Sequence, residues 1–327
     1  MTVMGSVQEY LCRVCGSKDR KAKFTAREMM LGTRDTFEYD QCAVCSSLQI
    51  SDIPNGEILS GYYPKHYYSY GAASKPALLR WLIAQRDKAA FGQLSPLGQV
   101  LKAIKPGALS GATPSFPVLR AAGLRREHRV LDVGCGTGSL LDRLANMGFR
   151  NLVGIDPFID SDAMTASGVP IRKLCLEAVQ ERFDFIMFNH SFEHVPSPRN
   201  EMLASHRTLA PDGRCLIRIP TPSSQAWEAY GTDWAHLDAP RHLTLISRSG
   251  MMLLAEKCGF SVVGTIDEST AWGLMVSELY RRGISPGKQD VRSHFSPDRI
   301  LEYEMRAAAA NAAERGDVAA FILVKSR

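Results

Sequence analysis

At 327 residues the chain is long enough for about two domains. Its 45% hydrophobic and 22% charged residues are ordinary for a soluble globular protein, and no run approaches the ~20 apolar residues of a membrane span. Residues 1–6 show no basic region followed by an apolar core, so no secretory signal is expected and the cytoplasm is the expected location. The net charge of +5 is uneven: residues 71–127 hold nine Lys and Arg against two acids, a local +7 that leaves −2 for the rest. Such a stretch is either a solvated helical face or a contact for a phosphate-bearing substrate, a nucleic acid or an anionic membrane surface.

The first module, residues 1–60, is read from Cys12-x-x-Cys15 and Cys42-x-x-Cys45. Two such knuckles can wrap four thiolates around one tetrahedral zinc, and the 26 residues between them suit a β-hairpin. Four thiolates leave no open coordination position, so the expected zinc is structural. Cys135, Cys175, Cys215 and Cys258 lie on apolar stretches and read as small core residues.

Residues 61–127 read as an aromatic and basic helical linker. Five tyrosines and a histidine fall within residues 62–70, Tyr67 and Tyr68 among them. Rings and hydroxyls of this density suit a substrate pocket or a hinge packed between domains. Leu78, Leu79, Leu82 and Ile83 space an amphipathic helix over 76–91, whereas 95–117, rich in Gly, Pro and Ser, reads as turns.

From 128 to 327 strand and helix alternate. Strands are predicted at 129–133, 151–156, 171–174, 183–188, 214–219, 260–266 and 319–325, and helices near 139–147, 198–209, 248–258 and 299–313. The pattern predicts an α/β fold, a doubly wound, Rossmann-like, seven-stranded sheet of largely parallel order, beside the small N-terminal zinc ribbon.

Val130-Leu131-Asp132-Val133-Gly134-Cys135-Gly136-Thr137-Gly138 is a buried strand running into a glycine-rich turn, and Asp156 closes the next strand. Glycines there remove side chains that would block a ligand, the following helix points free N–H groups at it, and Asp156 is placed to grip ribose hydroxyls. A dinucleotide site wants G-x-G-x-x-G, but here the third glycine comes one residue early, at Gly138. Asp132, two residues before the first glycine, would repel a pyrophosphate and suit a positively charged ligand group. Asp132-x-Gly134-x-Gly136-x-Gly138 with Asp156 resembles motif I and the acidic ribose residue of class I S-adenosylmethionine-dependent methyltransferases. That resemblance implies S-adenosylmethionine as cofactor, held by Asp132, Gly134, Cys135, Gly136, Gly138, Asp156, Pro157, Glu177 and Asn189. It also implies that the last strand inserts antiparallel.

Asn189-His190-Ser191-Phe192-Glu193-His194-Val195-Pro196 follows the predicted strand at 183–188 and resembles the motif after the fourth strand in many of these enzymes. Ligands of a doubly wound sheet sit beyond the carboxyl ends of its strands, which puts this segment beside the cofactor. His190 is the first candidate for a general base, with a loop-bracing role as the alternative, and Glu193-His194 reads more as architecture than as chemistry. A capping loop at 221–246 carries Trp234-x-x-Leu237-Asp238-x-Pro240-Arg241-His242-Leu243. It makes His194, Asp238 and His242 further catalytic candidates, and Trp234 and Arg241 substrate-binding ones. The alternative is a lid held by an internal Asp238–Arg241 or Asp238–His242 pair.

This loop, the ribbon and the tyrosines together resemble a bacterial subset of these methyltransferases in surface-glycan and secondary-metabolite pathways. The resemblance implies O-methylation of a sugar hydroxyl on a small-molecule or glycan acceptor. C-methylation of a nucleotide-linked ketosugar and RNA methylation stand as alternatives. Aromatic and basic residues do not interleave within 71–127, which argues against nucleic acid; an anionic membrane surface remains a candidate peripheral contact for that segment.

Overall fold

The computed structural model describes residues 9–63, 76–103, 116–287 and 289–326. Two sheets organise them. The first begins with β1 (Arg20–Arg27) and β2 (Thr36–Cys42), an antiparallel hairpin with Phe24 opposite Tyr39, and β3 (Leu48–Ile50) pairs antiparallel with β2. A short helix, α1 (Gly56–Gly61), follows, capped by the Asn55 side chain on the Ile58 N–H.

α2 (Ala77–Phe91) ends at Gly92, whose φ of 85° is the left-handed stop that glycine accepts. α3 (Pro96–Ala103) and α4 (Phe116–Ala121) occupy part of the stretch expected to be turns. The Gly and Pro signals there have other causes. Pro96 opens α3, where its missing N–H costs nothing, and the Ser95 hydroxyl accepts from Gly98 N at 3.1 Å. A Cβ on Gly98 would lie 2.0 Å from the Gln85 carbonyl, so this glycine marks a close helix crossing.

The second sheet is built from β4 (Val130–Val133), α5 (Ser139–Asn146), β5 (Leu152–Ile155), β6 (Ala163–Met164), β7 (Pro170–Arg172), β8 (Phe183–Asn189), α6 (Pro198–Thr208) and β9 (Leu209–Pro220). It is completed by α7 (Gln225–Tyr230), β10 (Thr244–Leu245), which joins the first sheet, α8 (Arg248–Lys257), β11 (Phe260–Asp267), α9 (Ala271–Arg281), α10 (Pro297–Ala312) and β12 (Val318–Lys325). The strand order is β11-β12-β9-β8-β4-β5-β7-β6. β4 pairs parallel with β5 and β8, β8 with β9, and β5 with β7, while β12 enters antiparallel between β9 and β11. The expectation of seven strands is corrected to eight: β6, two residues long, adds an antiparallel edge to β7. So short and exposed a strand leaves no alternating pattern in the sequence. α7 and α9 were also not expected; α9 buries Leu274, Met275, Val276 and Leu279 against the capping segment.

Phe185, Ile186, Met187 and Phe188 of β8 are fully buried, as a central parallel strand covered on both faces requires. Strand order reverses beside β4, so the crevice beyond the carboxyl ends of β4 and β8 is the ligand position of this topology. In the first sheet, β10 pairs with β3, Thr244 opposite Gln49 and Leu245 opposite Leu48. The cysteine-bearing hairpin and the capping segment thereby share one sheet and one apolar core. Among the described residues no helix is long and apolar enough to cross a membrane.

Candidate active site

β4 delivers Asp132 to the crevice and then turns through Gly134, Gly136 and Gly138, with φ of 71°, 53° and 74°. A Cβ on Gly134 would lie 2.5 Å from Cβ of Ser191, and one on Gly138 would lie 2.5 Å from Ile171 Cδ1. The turn therefore needs glycine for both angle and space. The Ser191 hydroxyl donates to the Val133 carbonyl at 2.5 Å, tying the loop after β8 onto the turn.

Asp156 ends β5's approach to the same crevice. Its carboxylate accepts from Gly136 N and Phe158 N, both at 2.9 Å. Asp132 is only 3% exposed and has no hydrogen-bond partner among the described residues. Burial, then the Asp156 charge, pushes its carboxyl up to about 8. Cys135 borders the turn and burial pushes its thiol up, so it stays neutral. Pro157 follows Asp156, and Phe158, not singled out in the sequence, is 77% exposed beside it. Asn189 ends β8 and accepts from Arg218 Nη1 at 3.1 Å. Glu177 is exposed; its carbonyl accepts from Arg207 of α6, and burial together with the Glu177 charge pushes Glu201 up to about 7.

The loop after β8 gathers the histidines. His190 takes a left-handed backbone, φ 57°, uncommon for a residue with a Cβ. Its Nδ1 lies 3.4 Å from Glu193 Oε1 and its side chain is 34% exposed. Burial and the Arg218 charge lower its pKa, so the imidazole is neutral near pH 7. Glu193 is fully buried, and among the described residues neither carboxylate oxygen accepts a well-formed hydrogen bond. Burial alone would raise its pKa; the facing imidazoles of His190, His194 and His242 outweigh that and hold it near 2. His194 Nδ1 lies 2.8 Å from the Arg241 carbonyl and 3.1 Å from the Tyr63 hydroxyl. His242 Nδ1 lies 2.7 Å from the His236 carbonyl, and burial lowers its pKa to about 4.

The capping loop differs from its expected use. Trp234 was expected at the substrate, but it is fully buried, its indole N–H donates to Asp317 at 3.1 Å, and its ring packs on Trp227. Arg241 was expected there too; it is fully buried, donates to both oxygens of Asp238 and reaches Glu28 at 3.2 Å. Asp238, expected to be catalytic, is occupied by that guanidinium, which overrides burial and holds the carboxyl near 2, too acidic for a base at neutral pH. These residues form the internally paired lid. Tyr67 and Tyr68 lie outside the described residues. Their neighbour Tyr63 does reach the site, through His194.

The four cysteines come together as the ribbon reading requires. All are buried, and their sulfurs lie within 4.8 Å of one another. The Cys12–Cys45 and Cys15–Cys42 separations are 3.6 and 3.5 Å. A zinc tetrahedron with bonds of ~2.3 Å has sulfur–sulfur edges of roughly 3.8 Å, so the cluster could hold that ion with little movement. Each knuckle closes on a left-handed residue, Gly16 and Ser46, whose N–H donates to the carbonyl of Cys12 and Cys42 respectively.

Residues 113–265 match the family model described as "Methyltransferase domain". A ubiquinone biosynthesis O-methyltransferase of Pseudomonas aeruginosa is 33% identical over 110 residues, covering 30% of this chain and 47% of the relative. Residues 113–265 are thus similar to a methyltransferase domain. A tRNA U34 carboxymethyltransferase of Pseudomonas fluorescens is 27% identical over 152 residues, 43% of this chain and 48% of the relative. The chain thus spans about half the length of the curated relatives it matches. A solved S-adenosylmethionine-dependent methyltransferase from Mesorhizobium loti overlaps 64% of this chain and 96% of its own, at 16% identity and a TM-score of 0.40.

The matched segment contains the cradle and the histidine loop but not the ribbon. Two residues that bind the two together went unread in the sequence: Glu28 and Tyr39. Tyr39 donates its hydroxyl to the His242 carbonyl at 2.8 Å. Glu28 accepts from the Leu31, Gly32 and Thr33 N–H groups and from Arg241. A signal was present for Glu28, an acid at a hairpin turn ahead of a glycine; for Tyr39 there was none.

Proposed function

We propose that the methyltransferase domain moves the methyl group of S-adenosylmethionine to a hydroxyl of a small-molecule or glycan acceptor, with a sugar hydroxyl as the favoured class. The observation that carries the cofactor reading is Asp132, a buried carboxylate with no hydrogen-bond donor among the described residues, beneath a three-glycine turn. A ligand bringing an ammonium group supplies the missing partner, and Asp156 stands beside it for ribose hydroxyls. Phe158 offers an exposed ring for the base. When bound, S-adenosylmethionine supplies an electrophilic methyl on a sulfonium.

The rest is alignment and proton removal. The ordered loops after β4 and β8 hold the reacting groups together, where alignment contributes most of the rate. His190 Nδ1 faces Glu193 Oε1 from 3.4 Å, longer than a well-formed hydrogen bond but enough to favour the proton on Nδ1, which leaves Nε2 with a lone pair to take the acceptor's proton. The carboxylate then stabilises the imidazolium that forms, as in other carboxylate–histidine pairs. Oxygen as the methylated atom is supported by the O-methyltransferase among the relatives. A second reading, methylation of RNA, is favoured by the tRNA-modifying relative and by the nine basic residues within 71–127. We also propose that Cys12, Cys15, Cys42 and Cys45 hold one structural zinc.

The test is calorimetry with S-adenosylmethionine. Binding is expected, and Asp156→Ala should weaken it by about 10–100-fold through loss of charge-assisted hydrogen bonds. Unchanged affinity in the variant would remove the cofactor assignment. Methyl transfer to nucleotide sugars against transcribed tRNA separates the two acceptor readings.

A further inference from the structure

We propose that Glu193, His194 and His242 form a second metal site, for a divalent first-row transition ion, distinct from the four-cysteine cluster. Each of the three offers one ligand atom, and those atoms lie within 4.8 Å of one another. Two histidines and a carboxylate are the donor set that zinc and iron(II) take, with coordination positions left open.

The histidines are prepared for this role. His194 Nδ1 faces the Arg241 carbonyl at 2.8 Å, and His242 Nδ1 faces the His236 carbonyl at 2.7 Å. A carbonyl only accepts, so each Nδ1 carries the proton and each Nε2 carries a lone pair. Backbone carbonyls holding Nδ1–H are the usual outer support of metal-bound histidine. The Nε2 of His242 is 3.9 Å from Glu193 Oε1 and 3.7 Å from Asp238 Oδ2. A lone pair turned toward two carboxylates is unfavourable unless a proton or a metal ion lies between them.

Glu193 makes the same demand. It is completely buried, and among the described residues neither oxygen accepts a well-formed hydrogen bond; His190 Nδ1 faces Oε1 from 3.4 Å. A buried charge without hydrogen bonds is costly, and natural structures pair it or give it to a metal. The Arg241 guanidinium is engaged by Asp238 and Glu28. The backbone supplies rigidity: Leu243 N donates to the Glu193 carbonyl at 2.8 Å, fixing the capping loop to the loop after β8. Of the three ligands only His194 is not buried, so an ion would meet solvent or acceptor from that side.

The experiment is cobalt(II) titration of the full chain after removal of bound metal by chelation, followed by visible spectroscopy and metal analysis. Thiolate-to-cobalt charge transfer marks the cysteine cluster; a nitrogen and oxygen site adds d–d bands without it. Wild type should take up a second equivalent that adds no thiolate band. Glu193→Gln and His242→Ala should each lose that equivalent, weakening it by tenfold or more, while the thiolate band shows that the ribbon remains folded. One equivalent that adds no thiolate band would support this site and overturn the zinc ribbon instead. Uptake of one equivalent in wild type, all of it with thiolate charge transfer, would overturn the second site, as would a second equivalent undisturbed by Glu193→Gln.

Discussion

The protonation of Asp132 makes cofactor affinity depend on pH in a calculable way. Its carboxyl is raised to about 8 by burial and by the neighbouring Asp156, so at pH 7 most of the empty protein holds a proton there. An arriving ammonium group favours the ionised form and pulls the pKa back toward the ordinary ~3.9. Binding then requires release of one proton. The apparent Kd should fall about tenfold between pH 6 and pH 7 and a further several-fold by pH 8, since each unit below the free pKa costs a factor of ~10. Above pH 8 the cofactor's own amine, with a pKa of ~8, begins to lose its charge, so the affinity should peak near there. Calorimetry in buffers of different ionisation enthalpy reads both quantities: Kd across pH 6 to 7.5, and release of nearly one proton at pH 7. Asp132→Asn should flatten the profile and, at pH 8, weaken binding by roughly 10–150-fold, the value of a charge-assisted hydrogen bond. The stability of the empty protein has the opposite sign. Its folded pKa lies above the unfolded one, so the folded state keeps a proton that the unfolded state has lost. This group's contribution therefore falls as pH rises from about 4 to about 8, by at most ~1.4 kcal/mol per unit, and Asp132→Asn should gain on wild type over that window. A pH-independent Kd in wild type, or the same slope in the Asn variant, would refute the reasoning.

Three further outcomes are expected. His190→Ala should lower kcat by on the order of 10²-fold while the Kd for S-adenosylmethionine stays within about twofold, read by stopped assays and calorimetry; a near-normal rate returns the residue to loop bracing. Arg241→Ala should cost about 3–5 kcal/mol in denaturant unfolding, because it leaves Asp238 and Glu28 buried without their counter-charge; a loss under 1 kcal/mol would show that the pair is not buried as described. Cys42→Ser should abolish zinc binding and lower Tm, since Cys42 is fully buried between the two knuckles, and metal analysis with calorimetric melting checks both.

The sequence made the cradle legible because its physics is local. Glycine spacing, the acid two residues earlier and the acid ending the next strand all lie within 25 residues, and each acts through its own backbone. The cysteine knuckles were legible for the same reason. Trp234 was misread because its partner Asp317 is 83 positions away; for Arg241 the pairing with Asp238 three residues earlier was the alternative reading, and what decides for it, Glu28, is 213 positions away. A loop dense in Trp, His, Asp and Arg reads as a binding surface until its pairing is known; here the charges satisfy each other and the indole fills a core. α3 was missed through Gly98, whose breaker signal belongs to a helix crossing visible only once Gln85 is placed against it.

The placement of the four-cysteine hairpin explains why it accompanies this fold at all. β3 pairs with β10, Tyr39 holds the His242 carbonyl, and Glu28 completes the Arg241 cluster. Each of these contacts ends on the capping loop within 241–245, and none reaches Asp132 or Asp156. The ribbon thus braces the half of the crevice that carries His194 and His242, while the glycine cradle is braced by the parallel sheet. Loops alone would place two imidazoles and a buried carboxylate poorly, because a loop's backbone samples many conformations at little cost. Tying 241–245 to a hairpin that four thiolates can lock removes that freedom where the site needs fixed geometry, and leaves the cofactor end to the strands that already define it.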